Sequence, residues 1–434
     1  MSSPNKFSVI NPSKVPFFYG YIVLIIGTIG VWFSMPGQTV GVSVFTDPVK
    51  DALGLSRNQF SNAYMIGTFL SSLLIGNAGK WFDVYGARYV AFFAAVTLGF
   101  SLLLCSISVQ LSEFVQNILN QDSWLISFSI ITILFFFIRF SGQGVLTMAS
   151  RNMIMIWFHK NRGKANSFTS IAVSLGFSSS PLFLNALINN NGWEVTWQIL
   201  AVCLLIFSIL ILQFYRNKPE DFSLLPDGVK SLSEKEVSTF EIEQQFTLKE
   251  ATKTRAFWMY GLILAFNSFF ITGFTFHIVS IFGAEGFSKM QAIAIFLPIS
   301  IISVSVSTLF NILSDYLKHK LYLFLMIISG IVSSLGLLFL SSTIGVYLLI
   351  GGLGFLGGLF AVLNAVTWPR FFGRKHLGAI TGKIMSMLVL GSAIAPSLFS
   401  FSFTNLGSYK FIGYISLVFL SFLLVGSIKA KNPQ

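Results

Sequence analysis

A chain of 434 residues in which 54% are hydrophobic and 10% are charged carries more apolar surface than a water-soluble fold can hide behind a charged exterior, so its solvent is lipid. The net charge of +12 is spread over six loops and tails with no single basic patch, which argues against a nucleic-acid partner. Two cysteines, Cys105 and Cys203, both inside apolar stretches, argue against a disulfide framework.

Charge-free intervals mark the membrane segments in chain order. They run Val15 to Thr46, Asn58 to Gly79, Tyr89 to Ser112, Ala165 to Trp193, Val195 to Tyr215, Ala256 to Ala284, Met290 to Ser314, Leu321 to Pro369, Ile384 to Tyr409 and Phe411 to Ile428. About 20 apolar residues cross the hydrocarbon core, so most intervals hold one helix and Leu321 to Pro369 holds two, separated near Ser341 to Gly345. A further helix between Ser123 and Ile156, interrupted by Arg139, brings the expected number to twelve. The runs lack the two-residue alternation of barrel strands, so the expected fold is an all-α membrane protein. The first apolar run, from Phe17, leads to Asp47 and not to a small-residue cleavage site, and reads as a retained helix.

With the amino terminus placed in the cytoplasm, 22 of the 28 Lys and Arg fall on the inner side, and Lys50, Arg57, Lys289 and Lys410 on the outer. This positive-inside bias predicts that both termini are cytoplasmic. The longest hydrophilic stretch, Arg216 to Arg255, holds 8 of the 16 acidic residues and 7 basic ones. It reads as a solvated linker with a short amphipathic helix around Leu232 to Thr252. The expected organisation is a tail 1–14, a six-helix half 15–215, the linker 216–255, a second six-helix half 256–428 and a tail 429–434.

The two halves repeat each other weakly. Gly163, Gly176 and Pro181 in the first are matched by Gly378, Gly391 and Pro396 in the second, with the same intervals of 13 and 5. Each set falls on the fifth predicted helix of its half. Gly79-Lys80-Trp81-Phe82-Asp83-Val84-Tyr85-Gly86-Ala87-Arg88, after the second helix, is matched by Asn311 to Lys320 after the eighth, each with an acid five positions before a basic residue.

The Gly79 to Arg88 segment resembles the loop between the second and third helices of the major facilitator superfamily, and Asp315 to Lys320 resembles the matching loop of the second half. The resemblance implies twelve helices in two pseudo-symmetric halves. It also implies a gate in which the acid lies by a helix end, pairs with basic residues, and releases them during transport. Carried over, Asp83 and Arg88 are the first gate and Asp315 the second. Asn311 departs from the pattern, standing where the first glycine would be.

Arg139, deep in the fourth predicted helix, is the costliest residue to bury, at about 2.5–3.5 kcal/mol or more. No acid lies mid-helix, so carbonyls, water or an anionic substrate must offset it. Gln143 and Thr147 follow at four-residue intervals and extend a polar stripe. The pattern Arg139-x-x-Gly142-x-Gly144 is similar to the helix-four motif of the superfamily, where the Arg lines or supports the central cavity. Pro36-Gly37-Gln38-Thr39 breaks the first helix beside Gln38. Asn62, Tyr64, Asn185, Asn267, Thr275, His277, Asn364 and Trp368 are further polar candidates, each also suited to bonding between helices. Of these, Asn267 and Asn364 join Arg139, Gln38 and Gln143 in the expected substrate set, and His277 is the candidate coupling residue. Lys383 lies near the inner end of its helix and suits snorkelling. The glycines from Gly351 to Gly358 suit close helix packing.

The segments Pro219 to Gly228, Thr247 to Ala251 with Phe257-Trp258, and Trp157-Phe158 with Arg162-Gly163 and Ala165 resemble the branch of monocarboxylate porters and oxalate/formate exchangers. That branch places a basic residue in the eighth helix, which Met290 to Ser314 lacks. The expectation is a transporter of a small organic anion, such as a mono- or dicarboxylate, working by alternating access. Its partners are the solute, a co-transported proton or exchanged anion, and the bilayer; it needs no cofactor or metal and acts as a monomer. A proton-driven drug or metabolite exporter of the same fold and a non-transporting receptor or scaffold are the alternatives. The drug exporters usually carry Gly-Pro on the fifth helix, where this chain has Ser180-Pro181. Four histidines with no cluster of acids around them argue against an enzyme. The absence of a glycosylation sequon favours a bacterial inner membrane.

Overall fold

The computed structural model describes residues 11–228 and 244–434. Its described residues form helices throughout, ten of them long and apolar enough to cross a membrane. Two run 50 and 53 residues, Arg57–Ser106 and Arg162–Phe214. At 1.5 Å per residue each is about twice the length a single crossing needs. Both are broken once, at Gly86 (φ 79°) and at Gly192 (φ 83°), in a region of backbone space that glycine enters without strain. Large apolar side chains face outwards, among them Leu182 at 79% and Val418 at 73% exposure, as lipid-facing positions require.

The chain divides into two compact units. The first contains described residues 11–159, 172–228 and 377–386; the second contains 160–171, 244–376 and 387–434. Each unit therefore takes in the opening turns of a helix from the opposite half of the sequence, which departs from the simple halves 15–215 and 256–428.

In the first unit, Gly20–Phe33 ends at a 3-10 turn, Met35–Gly37, whose first residue pair includes Pro36, and Gln38 is extended before the chain restarts as Thr39–Val44. Pro36 supplies no N–H to the helical ladder and is followed by Gly37, so the position of the break is written into the sequence. The fourth expected crossing is also irregular: Trp124–Ile138 passes into a π-helix, Arg139–Leu146, and returns to α at Thr147–Trp157. The two irregular segments touch through backbone. A Cβ added to Gly37 would lie 2.7 Å from both Gly142 Cα and the Ile138 carbonyl oxygen.

The start of the expected linker is packed in the same unit. Trp157 Nε1 donates to the Arg216 carbonyl at 3.0 Å, and the His159 amide donates to Asp227 Oδ2 at 3.0 Å. Of the amphipathic helix expected around Leu232 to Thr252, Leu248–Ala251 is a single helical turn closed by a Thr247/Glu250 capping box; residues 232–243 lie outside the described residues.

The second unit is built on Arg255–Ala284, Phe296–Leu313, His319–Leu338, Thr343–Phe372 and Lys410–Ser427. The glycine run of Thr343–Phe372 serves helix approach: added Cβ atoms would lie 2.6 Å from the Ser333 amide at Gly352 and 2.6 Å from Ile302 at Gly354.

The contact at Gly37 makes a stability prediction. Gly37→Ala places a methyl group against backbone that cannot rotate away, and costs roughly 1–3 kcal/mol. Gly76, with open space around its Cα, is the control. Thermal unfolding in detergent should show Gly37→Ala well below wild type and Gly76→Ala unchanged.

Candidate functional site

The break in the first helix and the π segment together build a polar cluster in the first unit. Arg139 is completely enclosed, and its Nη1 donates to the Gly37 carbonyl at 2.8 Å, an acceptor the break leaves at the end of a helix. The Tyr64 ring lies 5.1 Å from the guanidinium carbon, a cation–π distance. Tyr64 is itself oriented by donating to Thr39 Oγ1 at 3.0 Å. Gln38 Nε2 donates to Ser34 Oγ and Thr147 Oγ1, both at 3.1 Å, and Thr147 Oγ1 lies within bonding distance of Ser34 Oγ and the Gly142 carbonyl. These bonds tie the first helix to the π segment.

Two polar groups in this cluster remain open. Arg139 Nε and Nη2 are buried and meet no acceptor, and Gln143 Oε1 is buried and meets no donor. A buried guanidinium with one of its three nitrogens satisfied is costly, and an arriving carboxylate would supply the missing acceptors in a charge-assisted arrangement.

The structure thus brings Arg139, Gln38 and Gln143 into one unit, with Tyr64, Ser34 and Thr147 in support. Asn267, buried, and Asn364, half-buried, belong to the second unit, where neither side chain has a hydrogen-bond partner among the described residues. Nearby on the same helices, Tyr260 Oη, Thr367 Oγ1 and Trp368 Nε1 are buried and unpartnered. His277 Nε2 lies 2.9 Å from the Pro396 carbonyl, and since a carbonyl only accepts, that nitrogen carries the proton. Its ring lies parallel to Phe399 at 6.2 Å. The acids that follow the first broken helix are engaged: Asp47 pairs with Arg57 at 2.8 Å, and Asp51 with Lys50.

The two acids expected at the gates, Asp83 and Asp315, occupy matching environments. Asp83 accepts from the Gly378 amide at 2.7 Å through Oδ1 and from the Ala379 amide at 2.8 Å through Oδ2. These are the second and third residues of Leu377–Leu406, where amides lack partners of their own and the helix dipole favours an anion. Asp315 Oδ1 accepts from the Gly163 amide at 3.0 Å, the second residue of Arg162–Phe214. Each acid therefore caps a helix in trans, at one of the two glycines that the sequence repeat pairs. Both glycines are sterically required: a Cβ on Gly378 would lie 2.4 Å from the Gly79 carbonyl oxygen, and one on Gly163 would lie 2.0 Å from that of Asn311. The Asn311 departure acquires its own bond, accepting from Asn166 Nδ2 at 2.7 Å.

The two acids differ in their cations. Asp315 pairs with Arg370 at 2.9 Å, a residue the sequence pattern did not single out, whereas Asp83 has no ion pair among the described residues. Arg88 is buried, with its backbone amide donating to Asn217 Oδ1 at 3.2 Å. Burial raises the Asp315 carboxyl above the usual carboxylate range, with the Gly163 amide and Arg370 acting in the opposite direction.

Arg151 was missed by the sequence reading. It stands four residues beyond Thr147 on the Arg139, Gln143, Thr147 stripe, but hydropathy counting groups it with the basic inner end of the helix. Its Nε is buried without a partner, and no hydrogen bond or ion pair reaches its guanidinium among the described residues.

The profile of the Major Facilitator Superfamily matches residues 17–396, most of the chain. The chain belongs to the Major Facilitator Superfamily. It is thereby a multi-pass membrane protein of a transporter family, not of an enzyme family. Among curated relatives it is 26% identical over 245 residues to a hexuronate transporter of Bacillus subtilis, covering 55% of this chain and 52% of that protein. It is 30% identical over 134 residues to MFS-type transporter 1 of an Ophiocordyceps species, covering 31% of this chain and 26% of that one. The matches thus span about half the length of these relatives, or less. Among solved structures, it superposes with a TM-score of 0.67 on a bacterial homologue of the iron transporter ferroportin in an outward-facing state, at 14% identity and covering 94% and 98% of the two chains. The human organic anion transporter MFSD10 gives 0.60 at 13% identity, covering 96% and 100%. At such identities the likeness is one of fold.

The trans-capping geometry predicts a graded stability series. Asp83→Asn keeps one carbonyl acceptor of the two oxygens, and Asp83→Ala keeps none. With charge-assisted bonds worth about 1.5–3 kcal/mol each, thermal unfolding in detergent should rank wild type above Asp83→Asn and Asp83→Asn above Asp83→Ala.

Proposed function

We propose that this protein is a twelve-span transporter with both termini in the cytoplasm that moves a small organic anion by alternating access. Counting Arg57–Ser106 and Arg162–Phe214 as two spans each, divided at Gly86 and Gly192, gives the twelve, and the positive-inside distribution of Lys and Arg supports the orientation. The observation that carries the substrate class is the pair of open donors on buried Arg139. A carboxylate meeting Nε and Nη2 would neutralise the guanidinium and remove its desolvation cost, which no mid-span acid does. Gln143 Oε1, an open acceptor in the same cluster, suits a hydroxyl of a hydroxylated or sugar acid. The relative described as a hexuronate transporter belongs to this chemical class. Gln38 supports the cluster, and Asn267 and Asn364 are the substrate candidates of the second unit.

The capping bonds of Asp83 and Asp315 act as the gates, forming and breaking once per cycle, with Arg88 fixing the turn beside Asp83. Release of Asp83 leaves two helix-end amides to be solvated, and release of Asp315 leaves the Gly163 amide, so each gate imposes a barrier that differential binding of the solute must offset. Anion exchange or uniport fits a protein with no mid-span carboxylate better than proton coupling through an acid. His277 is the remaining titratable group of the spans suited to coupling, held as a donor to the Pro396 carbonyl.

Reconstitution into proteoliposomes with labelled glucuronate, galacturonate, lactate and oxalate tests this reading. One or more of these anions should be taken up by wild type, and Arg139→Gln should weaken its apparent affinity by about 10- to 100-fold, the equivalent of one charge-assisted bond. Unaltered affinity in Arg139→Gln would sink the anion site. Asp83→Ala should reduce the maximal uptake rate with little change in apparent affinity, since the gate does not touch the solute.

A further inference from the structure

The helix that carries Arg139 carries a second guanidinium without a counter-charge, and the neighbours of that group show where it points. Ser150 is committed to Tyr215 Oη at 2.8 Å, and Asn152 Nδ2 donates to Thr381 Oγ1 at 2.6 Å. Thr147, one turn earlier, is bonded to Ser34 of the first helix. Arg151 lies on the face between the directions set by Thr147 and Asn152, continuing the stripe of Arg139, Gln143 and Thr147. Arg151 has a buried Nε and a half-buried side chain, and its two terminal nitrogens, which are not enclosed, have no protein partner among the described residues and are open to an anion. Its neighbours Met148, Met155 and Ile154 are apolar, and no acid faces it.

We propose that Arg151 is a second anion station, which the solute occupies on the cytoplasmic side of the Arg139 site during each transport cycle. This inference rests on the anion reading of Arg139. The twelve residue steps from Arg139 to Arg151 correspond to at most about 18 Å along the helix, and helical side chains lean the same way, so the two heads remain far apart. One small carboxylate cannot bridge that distance. The solute must therefore pass from one guanidinium to the other, and the inner cation keeps the path from presenting a purely apolar barrier to a charged ligand.

The test uses the full-length protein, purified for direct binding and reconstituted for uptake, with the same panel of glucuronate, galacturonate, lactate and oxalate. Arg151→Gln should bind the accepted anion within about threefold of the wild-type affinity, yet transport it at least tenfold more slowly at saturation. Arg151→Lys, which retains the charge, should recover a substantial part of the rate. A thermal-unfolding scan of each variant separates lost transport from lost folding, and Arg151→Lys carries the test if Arg151→Gln does not fold: wild-type rates in Arg151→Lys then support a station that needs positive charge, and loss of both binding and transport overturns it. Arg151→Gln transporting at the wild-type rate would overturn the second station while leaving the Arg139 site standing. Loss of binding in Arg151→Gln as large as in Arg139→Gln would also overturn it, in favour of a single site. If wild type binds none of the four anions, the anion reading itself fails and the second station falls with it.

Discussion

A charged side chain in lipid cannot fall back on bulk water, and this constraint organises the first unit around Arg139. The guanidinium needs acceptors, and an unbroken helix offers none because its carbonyls are already bonded within it. The break at Pro36–Gly37 supplies one carbonyl, the π segment turns Arg139 towards it, and the absence of a side chain at Gly37 lets the two backbones approach closely enough for the bond to form. Three departures from regular helix thus answer one electrostatic demand. They answer it incompletely, which leaves Nε and Nη2 of Arg139 without an acceptor.

The same economy of backbone groups governs the contacts of Asp83 and Asp315. A helix beginning at Leu377 or Arg162 exposes amides with no partner of their own, and in each unit an aspartate from another segment supplies the acceptor. The acid and the helix end each lack something the other has. Such a contact is stabilising when formed and exposes polar groups on both sides when broken, which suits a joint that has two well-defined states. Asp315 adds an ion pair with Arg370, and Asp83 has none among the described residues, so the duplicated geometry resides in the backbone caps and not in the salt bridge.

Much of this was legible in the sequence because lipid imposes simple rules on it. Span length, the charge-free runs and the basic inner loops follow from the thickness and polarity of the bilayer, and each can be counted residue by residue. The matched spacings of Gly163 and Gly378 marked two positions that the structure shows to be sterically closed to any side chain. Asp83 and Asp315 were found by pattern, but their partners were not. A backbone amide has no letter in the sequence, so a search for basic partners looks past the helix end that does the capping.

What the sequence determined alone is the class of solvent, the helical character of the spans, the repeat that pairs the two halves, and the cost of burying Arg139. Those properties depend on composition and on spacing within one segment. Only the tertiary structure decided that helix 124–157 passes through a π turn, that Gly37 presents its carbonyl to Arg139, that Gln143 stays open while Gln38 is engaged, and that the Nε of Arg151 is buried without a partner. Each of these is settled by which backbone groups from distant segments come within hydrogen-bonding distance, and periodicity along a single helix carries no information about that.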